Sequence, residues 1–213
     1  MNILIITAVD AEARVIGSID GASIIVSGVG RTNAAAATTE AILNHWKRGG
    51  VDAVISAGVA GALPGSNLNI RDTLLASSCI YMEEGIVTAK GFANMAGLGF
   101  PLGDFEGNAV PVDEQLLDRL SPLCAMGPIA TVATCSGTDA AAAEVVRRTG
   151  ALAEAMEGAA VVHAARRLKV PAIEIRAISN TTGDRAGQQW DLQRGFASLG
   201  EALRKAVAVL SDA

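Results

Sequence analysis

Aromatic side chains are scarce in this chain of 213 residues: four Phe, two Trp and one Tyr, 3% of the whole. Its apolar half therefore comes mostly from Ala, Val, Ile and Leu, as in a layered α/β domain rather than a membrane protein. Histidine is scarcer still. His45 and His163 are the only two, which argues against a histidine-based metal site, and no metal is expected. Cysteine is limited to Cys79, Cys124 and Cys135, an odd number without C-x-x-C spacing. That excludes a disulfide framework and fits a reduced, cytoplasmic setting. Basic charge is in deficit, with a net charge of −5, which argues against nucleic acid and anionic membranes as partners. No apolar run is long enough to span a bilayer. The opening Met1-Asn2-Ile3-Leu4-Ile5-Ile6-Thr7 lacks a basic leader and reads as a first strand. The sequon Asn180-Thr181-Thr182 is discounted for want of a secretory signal.

Glycine, by contrast, is abundant at 23 residues, which points to many tight turns or close backbone approaches. Between the glycines, short β-branched runs alternate with Ala-rich helical stretches. Strands are expected at 2–7, 22–27, 52–57, 73–81, 127–133 and 171–178. Helices are expected at 10–16, 32–47, 113–120, 139–149, 154–168 and 193–211. The Gly- and Phe-containing stretch 83–108 reads as a long loop or lid. There is no internal repeat, low-complexity segment or linker. The pattern implies one three-layer α/β domain over residues 1–213.

Ligands of open α/β sheets bind beyond the carboxyl ends of strands, so the polar residues placed there are the candidates for chemistry. Asn180 follows the last strand, after Ser179. Glu12 stands just past the first strand, either a general base or an acid favoured by the dipole of its helix. Glu157 opens an apolar helix beside Met156 and Gly158. Buried there, its carboxylate needs hydrogen-bonding partners, and a pair of ligand hydroxyls would serve; otherwise it is a surface helix residue. Gly28-Val29-Gly30-Arg31 joins a strand to a helix and offers amides to an anion or a ribose. Asn33 takes the place of the third small residue of a dinucleotide fingerprint. Gly58-Val59-Ala60-Gly61-Ala62 reads as a second glycine-rich turn, without a cation or hydroxyl at Val59. Gly183-Asp184-Arg185 with Gln188, Gln189, Trp190 and Asp191 forms a polar cluster able to close over a ligand, or a solvated loop capping the final helix.

The order and spacing of these segments resemble the nucleoside phosphorylase and nucleosidase superfamily over nearly the whole chain. The likeness rests on Asp10–Glu12, Ser27-Gly28-Val29-Gly30, Ala57-Gly58-Val59-Ala60-Gly61, Met156-Glu157 and Arg176-Ala177-Ile178-Ser179. Within the superfamily the chain is most similar to the futalosine hydrolases. The closer marks are Glu83-Glu84-Gly85, Gly91-Phe92, Gly99-Phe100-Pro101-Leu102, Thr182-Gly183-Asp184-Arg185 and Gln189-Trp190-Asp191.

The resemblance implies an αβα fold with a mixed central sheet. It implies N-glycosidic hydrolysis of a small-molecule nucleoside, without a cofactor, by a homo-oligomer. In this reading Glu12 is the general base that activates water. Glu157 binds the ribose hydroxyls, Met156 lies beside the sugar and Gly61 lies near the ribosyl pocket. Asn180 meets the purine, at a position where adenine-specific relatives carry Asp. An amide donates to the O6 of a 6-oxopurine, whereas a carboxylate would be repelled by it. An Asn cannot give up a proton, which leaves the leaving-group acid unnamed; Asp184 is one candidate, acting through water. Phe92 and Phe100 are expected to cover the 5′ aryl arm of futalosine, and Arg185 or Lys90 to face its carboxylate. Related phosphorylases carry a cation and a hydroxyl where this chain has Ser56 and Val59. That favours water over phosphate, with Arg31 left as a possible phosphate ligand. Methylthioadenosine/adenosylhomocysteine nucleosidase, purine nucleoside phosphorylase and a non-catalytic nucleoside-binding protein remain as alternatives.

Overall fold

Ile3, Leu4, Ile5 and Ile6 are all buried, which a strand achieves only when both of its faces are covered. In the computed structural model, which describes residues 1–47 and 49–212, this run is β1 (Ile3–Thr7). It lies between two parallel neighbours, β2 (Ala22–Val26) and β3 (Ala53–Ala62). β10 (Ala172–Thr181) runs parallel along the opposite edge of β3. Beyond it the sheet continues through β4 (Thr73–Tyr81), β8 (Ala125–Thr131) and β9 (Ala153–Ala155). β9 returns to pair antiparallel with the end of β3, so these five strands close on themselves. β7 (Ala109–Pro111) adds to β4. The sheet is mixed, because β10 with β4, β3 with β9 and β4 with β7 are antiparallel pairs.

Helices cover both faces. α1 (Asp10–Ile16) and α4 (Glu114–Leu120) pack on α7 (Leu192–Ser211), while α2 (Arg31–Trp46) packs on α6 (Gly158–Arg167). α5 (Asp139–Thr149) lies against β8. Each of several helices starts where the sequence supplies an acceptor. Asp113, Thr138 and Asp191 accept from the backbone N–H groups of Leu116, Ala141 and Arg194, each cap contributing about 1 kcal/mol. Gly150, in the left-handed region, stops α5. This is the expected α/β architecture with a mixed central sheet and helices on both sides.

Four local expectations need correction. The segment Gly58–Ala62 is strand, not turn: β3 runs through it, and its glycines serve close approach instead. A Cβ at Gly58 would stand 2.4 Å from Arg176 Nη1 and 2.5 Å from Glu12 Oε1. The helix expected over 154–168 begins at Gly158, because residues 153–155 pair with both β3 and β8. β10 extends three residues further than expected, so Ser179 and Asn180 lie within it. The expected loop at 83–108 is instead a hairpin of β5 (Gly85–Thr88) and β6 (Gly91–Asn94) followed by the short α3 (Met95–Leu98). The buried amide of Asn108 ties it down. Nδ2 donates to the carbonyls of Tyr81 and Glu84, both at 2.8 Å, and Oδ1 accepts from the Met95 N–H.

The close approach at β3 makes a stability prediction. Gly58→Ala should lower the unfolding free energy by about 1–3 kcal/mol through overpacking. Gly137→Ala, where a methyl meets open space, should cost less. Urea titration of both variants checks the order.

Candidate active site

The carboxyl ends of β1, β3 and β10 open into a cavity of about 450 Å³, as the rule for α/β sheets requires. Glu12, Gly61, Met156, Glu157, Asn180 and Arg185 all line it. Residues drawn from the first and last thirds of the chain thus meet at one place.

Glu12 occupies the third position of α1, and its two readings turn out to be compatible. Oε2 accepts from the backbone N–H groups of Ala8 at 2.9 Å and Val9 at 3.3 Å, capping the helix from inside. Oε1 accepts from the N–H of Val59 at 2.9 Å. The side chain is only 3% exposed. Three main-chain donors therefore hold the carboxylate in one orientation at the cavity wall. The Val59 N–H is one of them, so the glycine-rich segment holds the protein's own carboxylate.

Glu157 ends the chain's approach to α6. Its Oε1 accepts from the N–H of Gly30 at 3.0 Å. Its Oε2 lies 3.4 Å from Arg176 Nη2. Arg176 is 1% exposed and projects from β10 beneath the cavity. It donates through Nε to Glu174 Oε1 at 2.7 Å and through Nη2 to the hydroxyl of Ser56 at 3.3 Å. Burial alone would lower the pKa of this guanidinium, but the charges of Glu174, Glu157 and Glu12 push it up. Breaking one such buried pair costs roughly 3–5 kcal/mol. Glu174 fits because Gly158 has no side chain: a Cβ there would sit 2.0 Å from both carboxylate oxygens.

Asn180 is held at a bulge. The register of β10 against β3 slips between Ile178 and Asn180, bringing Asn180 opposite Gly61. Such bulges re-aim side chains next to sites. Nδ2 donates to the Thr181 carbonyl at 2.9 Å, and Oδ1 accepts from the Ser179 hydroxyl at 2.9 Å. A carbonyl can only accept, so the Thr181 contact fixes which end of the amide is NH2. The second N–H remains for the cavity.

At this wall Glu154 is missed by sequence reasoning, and Ser136 lies in the stretch 134–139 whose place around the pocket the sequence leaves open. Glu154 on β9 is buried and lines the cavity. Its Oε1 accepts from the backbone N–H of Ser136 at 2.7 Å, and its Oε2 accepts from the Ser136 hydroxyl at 2.6 Å. Burial raises its pKa above the ordinary carboxylate range, opposed by the two Ser136 bonds. The helical reading of 154–168 hid it, since a helix gives no reason to single out Glu154. The signal available was a lone charge between Ala153 and Ala155, the alternation of a short strand.

The polar cluster after β10 packs as a lid. Trp190 Nε1 donates to Gln188 Oε1 at 2.9 Å, and Arg185 Nη1 donates to the same oxygen at 2.8 Å. The Arg185 guanidinium lies 4.7 Å from the Trp190 ring centroid, within cation–π range. Gln188 Nε2 donates to the carbonyls of Ser136 and Gly183. These bonds join the lid to the loop that carries Ser136.

Other expected residues lie elsewhere. Phe92 is in the hairpin, its ring 4.1 Å under the Arg148 guanidinium and facing a different cavity. Phe100 is 67% exposed after α3, and Lys90 is exposed at the hairpin end. The anchoring by Asn108 directs that whole segment away from the cavity of its own chain. Asp184 is also removed. Its Oδ1 accepts from the Asp139 N–H, and its own N–H donates to Asp139 Oδ1, both at 3.0 Å. Arg31 pairs with Glu84 at 2.6 Å and Glu83 at 3.3 Å.

The phosphorylase superfamily model matches residues 9–213. A futalosine hydrolase of Streptomyces coelicolor is 34% identical over 202 residues, covering 91% of this chain and 81% of that protein. A 5′-methylthioadenosine/S-adenosylhomocysteine nucleosidase of Anoxybacillus flavithermus is 28% identical over 214 residues, covering 86% and 87%. The native structure of futalosine hydrolase of Helicobacter pylori superposes with a TM-score of 0.77 over 97% of each chain, at 20% identity, which is a likeness of fold. The chain belongs to the phosphorylase superfamily and, within it, to the futalosine hydrolase family.

Proposed function

We propose that this enzyme hydrolyses the N-glycosidic bond of futalosine, releasing hypoxanthine and dehypoxanthinylfutalosine, a step of menaquinone biosynthesis. The observation that carries the reading is the convergence of Glu12, Glu157 and Asn180 on one cavity. Glu157 accepts from the ribose hydroxyls, oriented by Arg176 and the Gly30 N–H. Met156 and Gly61 border the sugar and base. Glu12 takes a proton from the water that attacks C1′ as the bond to the base lengthens through an oxocarbenium-like state. Asn180 donates its free N–H to O6 of the base. Arg185, steadied on Trp190 and Gln188, is the cation for the carboxylate of the 5′ arm.

Water as nucleophile is supported by what surrounds the glycine-rich segments. Arg31 is engaged by Glu83 and Glu84, the Ser56 hydroxyl is buried on Arg176, and Val59 brings no charge. A phosphate would find no free cation at these three places. The enzyme works as a homo-oligomer in a reduced cytoplasmic setting. Val87, 75% exposed, and Phe100 offer apolar surface on the hairpin segment for a second copy, and Cys79, Cys124 and Cys135 are free thiols. Among the described residues no helix is long and apolar enough to cross a membrane.

Two substitutions test the roles. Glu12→Gln should lower kcat on futalosine by at least ~100-fold, the scale of a lost general base, while futalosine still binds by calorimetry. Full turnover removes Glu12 from the role. Asn180→Asp should shift the ratio of kcat/KM toward adenine nucleosides over 6-oxopurine nucleosides by roughly tenfold or more, the value of about 1–3 kcal/mol for a mismatched polar contact. An unchanged ratio contradicts the assignment of base choice to position 180.

A further inference from the structure

With Asn at position 180 and Asp184 turned toward Asp139, the departing base still needs a proton. We infer that Glu154, acting through the Ser136 hydroxyl, supplies it at N7. The inference rests on the hydrolase reading above.

Gly61 of β3 is the register partner of Asn180 on one edge and of Glu154 on the other. Residues directly opposite in paired strands project to the same face. Asn180 and Glu154 therefore project to the same face on either side of Gly61, and all three line the cavity with Ser136. A base in this part of the cavity meets the amide on one side and the Ser136–Glu154 pair on the other.

Among the described residues no cation pairs with Glu154, whereas Arg176 is taken by Glu157 and Glu174. Burial without a cation pushes this carboxyl toward its acid form, against the two bonds it accepts from Ser136. The other titratable groups around it act in the same direction or lie further along the cavity wall. Glu83 raises its pKa. Cys135, beside Ser136, has its own thiol pushed up by burial and by Glu154, Glu157 and Glu83. Glu12 from α1, Glu157 ahead of α6, Arg176 from β10 and Arg185 from the lid complete the set.

The backbone N–H of Ser136 occupies Oε1, and the Ser136 hydroxyl donates to Oε2; in the acid form of Glu154 the proton sits on Oε2 and the hydroxyl turns its own hydrogen to the base. In the reaction, N7 takes the Ser136 hydroxyl proton as Ser136 takes that of Glu154. The electron pair of the C1′–N9 bond goes to the base, and the water oxygen bonds to C1′ while its proton passes to Glu12. One proton has then moved from Glu154 to Glu12, and exchange with solvent restores both. Ser136 is the residue that touches the base; Glu154 is the acid behind it.

The pH dependence follows in sign. The acid form of Glu154 is required, so kcat/KM should fall as pH rises through a value above the ordinary carboxylate range. In Glu154→Gln that alkaline limb should disappear. Turnover of the purine nucleoside should drop by at least ~100-fold, while 4-nitrophenyl ribofuranoside, whose leaving phenolate needs no proton, should lose no more than about threefold. Ser136→Ala should reproduce the same selectivity. Equal losses on both substrates, or retention of the alkaline limb in Glu154→Gln, overturn the inference. A wild-type enzyme that releases no base from any purine nucleoside contradicts the hydrolase reading instead.

Discussion

The buried guanidinium of Arg176 is the interaction on which the site depends. It sits beneath the cavity with Glu174 on one side, Glu157 on the other and Ser56 within reach. A charge this deep is tolerable only because each partner is fixed by the backbone around it. Glu157 is also held by Gly30 from the first glycine-rich segment, and Glu174 is admitted by the absent side chain of Gly158. Glu12 adds a third negative charge, placed by three main-chain N–H groups rather than by an ion pair. The result is a pair of carboxylates whose positions are set before any ligand arrives, which is what pre-organised catalysis requires.

Glycine is the other side of the same constraint. Gly58 leaves room for Arg176 and Glu12, Gly61 for Asn180 and Thr182, and Gly158 for Glu174. At these three positions the missing Cβ matters for space, since none is in the left-handed region. The abundance of glycine thus reflects a site built inside a sheet, where polar side chains from neighbouring strands must share volume.

Much of this was legible in the sequence because the signals were local. β-branched runs, caps and Ala-rich helices placed most elements, and Glu12 and Asn180 stood at strand ends where ligands bind. What was not legible depended on pairing between distant strands. The three-residue β9 exists only because β3 and β8 receive it, so its sequence read as the start of α6 and Glu154 went unnoticed. The segment Gly58–Ala62 looked like a turn by composition, yet tertiary pairing with β10 keeps it extended. Composition alone makes the segment of Phe92 and Phe100 look like a lid over the ligand. The buried amide of Asn108 anchors that segment elsewhere, and nothing local to the phenylalanines reveals it.

The central claim is that water, not phosphate, accepts the ribosyl group in a site shaped for a 6-oxopurine. Following hypoxanthine released from futalosine, with and without inorganic phosphate, addresses it most directly. The account predicts the same rate in both conditions and a product bearing a free hydroxyl at C1′. A rate that requires phosphate, with a ribosyl phosphate as product, would contradict it.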